Sequence, residues 1–281
     1  MVHRKISVAA SLLIAAILTI FIIWTFFPIY WMFSTSIKSA LEVFNISPEL
    51  FPKNPTLEHY YALDKGSIKV SVFLKNSIIT GLGTVILAMF LALFAGYALS
   101  RFRFRMKKFI SLGILTTQMF PLVVLLIPLY LLYKRLNLLN SYIGLILSFT
   151  SFTLPFSIWM LKGFIDSIPI ELEESAIIDG CSKLQILFHI VTPLIVPGLV
   201  ATMVFAFLDA WNNLLFPLML VTRPSMKTLP PGMVLAFAGE FKHNWGGMMA
   251  TSVIVSLPVV VVFVTMQKYL VQGLTAGAVK G

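Results

Sequence analysis

From Asn76 to Ser100 the chain carries no charged side chain. That run exceeds the roughly 20 apolar residues with which an α-helix crosses the hydrocarbon of a bilayer. In lipid a single segment must bond its own backbone groups, so such a run folds as a helix. Apolar runs of comparable length cover residues 8–33, 70–99, 109–133, 142–161, 194–221 and 248–267. The expectation is an all-α integral membrane protein with six transmembrane helices. Composition points the same way: 11% of residues are charged and 58% hydrophobic, against about 25% charged in soluble domains. Pro121, Pro128, Pro155 and Pro258 fall inside these runs, where neighbouring helices can re-satisfy a kinked backbone.

The net charge is +10. Its basic residues are not gathered with aromatics into a nucleic-acid surface but flank the apolar runs, as cytoplasmic loops do. Cys181 is the single cysteine, and His3, His59, His189 and His243 show no zinc-ligand spacing. The N-terminal run from Val8 to Phe33 is too long for a signal-peptide core of roughly 7–15 residues. It reads as a retained first span.

Orientation follows from the short loops. Arg101, Arg103, Arg105, Lys107 and Lys108 lie within SRFRFRMKK without an acid, and Arg4–Lys5 opens the chain. Both mark the cytoplasmic side. Residues 34–69 and 222–247 then lie outside, and 162–193 and both termini inside.

The cytoplasmic segment 166–193 reads DSIPIELEESAIIDGCSKLQILFHIVTP. Pro169 suits a first helical turn, and Glu171, Glu173 and Glu174 crowd the positive end of the helix dipole. Gly180 can end that helix in a left-handed turn. Ser182 and Gln185 match a capping box for a second short helix, which Pro193 is expected to end. Spacing alone supports two short helices around a glycine elbow, which could be no more than a structured loop.

Here the residues carry a resemblance. Glu174-Ser175-Ala176, then Gly180, then Ile190, Thr192 and Pro193 resemble the cytoplasmic signature of bacterial ABC importer permeases, with Ser175 and Thr192 as departures. Ile178-Asp179-Gly180 is similar to the form in sugar-importing members. ALSRFRFR, WMLKGFIDSIP, WNNLLFPL and the closing GLTAGAVKG resemble permeases of the maltose-transporter G type. The resemblance implies a coupling subunit whose signature helices (Glu173, Glu174, Ser175, Ala176, Asp179, Gly180, Ile190 and Pro193) dock on an ATPase. It further implies that the tail 268–281, with Gly273, Leu274, Thr275, Ala276 and Gly277, touches the ATPases. Implied partners are a second homologous permease, two ATP-binding subunits, an extracytoplasmic solute-binding protein and a sugar. The implied location is the bacterial or archaeal cytoplasmic membrane.

No GK pair occurs, so the chain lacks a G-x-x-x-x-G-K-[ST] phosphate loop. The expectation is a chain that binds no cofactor, catalyses nothing and leaves ATP and Mg to the partner ATPase. Asp209 lies deep in the fifth apolar run with Asn212 and Asn213 close behind. An acid there costs about 2.5–3.5 kcal/mol on insertion scales and faces the bundle or a cavity. These three are candidate translocation-pathway residues; the plain alternative is an interhelix hydrogen bond. In the outer loop, Gly239, Glu240, Trp245 and Gly246 are candidate binding-protein contacts, the plain alternative being an interfacial aromatic anchor. Other readings are a permease for a non-sugar solute such as glycerol phosphate, and an ion-coupled secondary transporter. The latter would usually show inverted repeats and several intramembrane ionisable groups, which the sequence lacks.

Overall fold

Not every apolar run is one continuous helix, and proline alone does not decide which are. The computed structural model describes residues 8–65, 69–237 and 244–278, and these contain helices and no strand. In chain order the helices are α1 (Val8–Ser36), α2 (Ala40–Val43), α3 (Glu58–Ala62), α4 (Val70–Arg101), α5 (Lys107–Thr117), α6 (Leu122–Arg135) and α7 (Tyr142–Asp166). There follow α8 (Glu171–Ile178), α9 (Lys183–Ile186), α10 (Thr192–Leu194), α11 (Val196–Asn212), α12 (Leu215–Leu220), α13 (Leu229–Phe237) and α14 (Trp245–Ala278). Pro28, Pro128, Pro155 and Pro258 sit inside continuous helices. Pro121 instead stands before α6 with extended backbone (ψ 122°), and α5 and α6 are bent by 98°.

Three expectations are corrected here. The run 109–133 is not one helix but this bent pair. The run 194–221 is broken on both sides: at Ile195, where the preceding helical segment meets α11 at 82°, and at Asn213, whose backbone is extended. Pro193 does not end the second short helix. A π-helical stretch, Leu187–Val191, carries α9 into α10, so Lys183–Leu194 is one helical segment with Pro193 near its end. Among the described residues four helices are long and apolar enough to cross a membrane, or up to six spans result if each bent pair counts as one. The last helix also outruns its apolar segment, reaching Ala278.

The described chain forms two compact units, residues 1–69 with 237–257 and residues 70–236 with 258–281. In the first, Ser39 and Glu42 cap α2 reciprocally. Glu42 also accepts the backbone N–H groups of Lys53 and Asn54 at 3.0 Å, which ties the loop to the helix. The His59 ring is buried against the Lys38 carbonyl at 2.9 Å.

In the second, α4 packs along α7. The buried face of α4 includes Ser77, Thr80, Thr84, Ala88, Ala92 and Gly96, at intervals of three or four residues. That period forms one stripe along a helix, and small residues there let backbones approach in lipid. A methyl at Gly96 would meet the Lys162 backbone nitrogen at 3.1 Å. Thr80 and Thr84 return their hydroxyls to the carbonyls of Asn76 and Thr80, both at 2.8 Å, so the polar stripe needs no water. At one end of this bundle, Tyr97, Leu161, Ile165, Ala176, Ile186, Leu187 and Val191 form a buried cluster. The segment after α7 is therefore packed onto the bundle rather than hung from it.

Candidate coupling interface and membrane cavity

Helix α8 begins with three carboxylates in its first turn, and they face different ways. Glu173 is 3% exposed whereas Glu174 faces solvent, since adjacent helical residues point about 100° apart. Arg101 Nε donates to Glu173 Oε1 at 2.5 Å, and the Tyr97 hydroxyl donates to Oε2 at 2.9 Å. The Arg101 Nη2 donates to the Ile168 carbonyl at 2.9 Å. Beside this node Ser100 donates to Asp166 at 2.6 Å, and Lys162 holds the other Asp166 oxygen at 2.5 Å. A buried carboxylate is tolerable only when paired and hydrogen-bonded, and both oxygens of Glu173 are.

Helix α8 ends as expected. Gly180 has φ +85°, the Cys181 N–H donates to the Ala176 carbonyl and the Gly180 N–H to that of Ile177. This is the double bond of a Schellman motif. The expected capping box of Ser182 and Gln185 is also present. Ala176 is buried, and Ile190 packs partly buried on the same cluster. Ser175, Asp179, Gly180 and Pro193 are exposed; the Ser175 hydroxyl returns to the Glu171 carbonyl at 2.8 Å. Ile178 is 87% exposed and Leu184 58%. The segment thus has an inner side, Glu173 and Ala176, and an outer side with Glu174 and two bare aliphatic chains around the elbow.

The sequence reading grouped Glu173 with the outward contacts. Its pairing within the chain turns it inward as an anchor. Tyr97, Arg101, Ser100, Lys162 and Asp166 were not among the candidate residues. ALSRFRFR carries Ser100 and Arg101, WMLKGFIDSIP carries Lys162, Asp166 and Ile168, and the two motifs meet beside the Arg101–Glu173 pair.

Asp209 is half-buried on α11 and lines two cavities, of about 400 and 430 Å3. Asn212 and Asn213 line the first of these and Asn213 also the second. Asn212 donates to the Leu208 carbonyl at 2.9 Å, and Asn213 accepts the Phe216 N–H at 3.2 Å. Gly239 and Glu240 lie outside the described residues. Trp245 and Gly246 line a cavity of about 500 Å3 with Glu58 and His59. The backbone from Gly273 to Gly277 belongs to α14.

Residues 85–276 match the family described as "Binding-protein-dependent transport system inner membrane component". The chain belongs to this family of importer permeases. Its membership is that of a non-catalytic membrane subunit. This permease is 36% identical to the diacetylchitobiose uptake system permease protein DasC of Streptomyces coelicolor, over 91% of this chain and 92% of that protein. It is 34% identical to the trehalose/maltose transport system permease protein MalG of Thermococcus litoralis, over 96% of each chain. Its fold matches a chain in the crystal structure of a bacterial ABC transporter that imports the acidic polysaccharide alginate. There the TM-score is 0.84 at 23% identity, covering 95% of this permease and 99% of that chain.

Proposed function

We propose that this permease forms part of the translocation pathway for a sugar or oligosaccharide and couples it to a separate ATPase through residues 166–193. The observation that carries the coupling is the two-sided segment. Glu173 ties α8 to α4, so force applied at the outer side reaches the spanning helices without first bending a loop. Glu174, Ile178 and Leu184 are left outward, and bare aliphatic chains beside an acid suit a partly apolar protein groove lined by cations. The names of the relatives, uptake systems for diacetylchitobiose and for trehalose and maltose, support a saccharide over glycerol phosphate or another non-sugar solute.

In this reading the six apolar runs are six spans, with both termini in the cytoplasm of a bacterial or archaeal cell. The assembly adds a second permease, two ATP-binding subunits holding ATP and Mg, and an extracytoplasmic binding protein. The end of α14 reaches toward the ATPases, and the loop around Trp245 and Gly246 toward the binding protein. Purification of the chain with its native partners, followed by saccharide-stimulated ATP hydrolysis across a sugar panel, tests the reading. Stimulation by a saccharide in the presence of the binding protein is expected. Transport by the chain alone without ATP would overturn it.

A further inference from the structure

One cavity in the unit built from residues 70–236 has a chemistry that coupling does not use. About 430 Å3 of space lies between the α5–α6 break, α7 and α11. Its walls are largely aromatic, with Phe152, Phe156, Trp159 and Phe205 among them, and the Phe156 and Phe205 rings lie 4.0 Å apart. Three polar side chains join them: Gln118, Asp209 and Asn213. The Asp209 carboxyl makes no hydrogen bond to another described residue, and the Trp159 Nε1–H is buried without an acceptor. Gln118 donates to the Phe152 carbonyl at 3.2 Å, which leaves its own carbonyl oxygen free. Polar groups left unpaired along a mostly apolar wall are costly unless water or a ligand completes them.

We propose that this cavity is a subsite for one ring of a neutral saccharide, so that this subunit touches the cargo itself. The proposal rests on the saccharide-import reading above. A sugar ring offers an apolar C–H face for the aromatic wall and hydroxyls around its edge for Asp209, Gln118 and Asn213. Mostly apolar walls with a few placed polar groups are the ordinary make-up of small-molecule sites, and the volume is within their range. Among the described residues no Lys or Arg lines the cavity. Lys162 lies over the Trp159 ring at 5.8 Å, but its ammonium group is held by Asp166. An anionic ring would enter without a compensating cation, so the subsite selects against acidic saccharides.

The test uses the assembled importer in proteoliposomes. A radiolabelled panel of neutral mono- to tetrasaccharides and a glucuronic acid disaccharide is offered first. Import of any member sustains the reading on which the proposal rests; import of the acidic member alone overturns the subsite and leaves that reading standing, and import of none removes both. Asn213→Cys is then introduced with Cys181→Ala, and its alkylation by a small maleimide is timed. The imported neutral saccharide at four times its dissociation constant should slow alkylation by about fivefold, and the glucuronic acid disaccharide should not. Unchanged alkylation with an imported saccharide overturns the subsite and leaves the import reading standing. A thiol that reacts in the isolated chain but never in the assembly also overturns it, because the partner permease then fills the cavity. Gln118→Cys, on the opposite wall, serves as the reporter if the first variant does not assemble.

Discussion

Arg101 and Glu173 stand 72 residues apart in sequence and bond side chain to side chain at 2.5 Å, with the two side chains 13% and 4% exposed. The pair joins the end of a long spanning helix to the first turn of the exposed α8. It makes the segment after α7 a rigid extension of the bundle, and this is what a handle for an ATPase requires.

Removing one member of a buried pair costs about 3–5 kcal/mol, whereas replacing both by apolar residues can be nearly neutral. Arg101→Met and Glu173→Met should each loosen α8, and tryptic cleavage after Lys183 should accelerate at least about tenfold. The double variant should recover most of the protection. Timed proteolysis of the purified importer checks this, and additive damage would show that the pair is not the anchor.

Gly180 sits at φ +85° with open space where a Cβ would lie. Its constraint is therefore conformational, about 1–2 kcal/mol for an ordinary residue. Asn and Asp both tolerate this region and are nearly equal in size. Gly180→Asn should import saccharide at close to the wild-type rate, while Gly180→Asp should insert normally yet lose assembly or coupling through its charge. Uptake and ATP hydrolysis measured side by side separate the two. Equal behaviour of Asn and Asp would mean that no charge-sensitive surface meets the elbow.

Gly96 faces the α7 backbone, with the Ile158 carbonyl oxygen 3.4 Å from a built Cβ. Backbone cannot swing away as a side chain can. Gly96→Val should push α4 from α7 at about 1–3 kcal/mol, lowering the thermal midpoint of the purified assembly. A Val variant with an unchanged midpoint would contradict the close packing.

The His59 imidazole occupies the space that a Cβ on Gly246 would need. Gly246→Val should displace that ring and alter the surface around Trp245. Uptake at limiting binding protein should fall by about tenfold or more, a 1.4 kcal/mol loss in docking, and excess binding protein should restore part of it. Unchanged delivery would remove this loop from the docking surface.

Hydropathy made the continuous helices legible, because α1, α4 and α7 are long apolar stretches that run on even through Pro28 and Pro155. It could not distinguish Pro121 from Pro128. Both lie in one apolar run, yet a break appears only at the first, where ψ turns extended. The elbow was legible to the residue, since a glycine stop and a capping box are local chemistry. The anchor was not, because the partner of Glu173 lies on another helix and no periodicity connects them. Glu173 and Glu174 look alike in sequence, and packing alone decides which is buried. The end of α14 looks like a separate tail in sequence because its glycines and alanines carry no hydropathic signal, yet the helix continues through them to Ala278.

The central claim is that the elbow of this permease is held by an ATPase. Ile178, 87% exposed, reports on it directly when replaced by cysteine in a chain carrying Cys181→Ala. In the assembled, transporting importer, a short bifunctional maleimide should join Ile178→Cys to the ATP-binding subunit, and a bulky water-soluble maleimide should fail to reach it. Free labelling by the bulky reagent with no ATPase adduct, in an importer that still transports, would contradict the account.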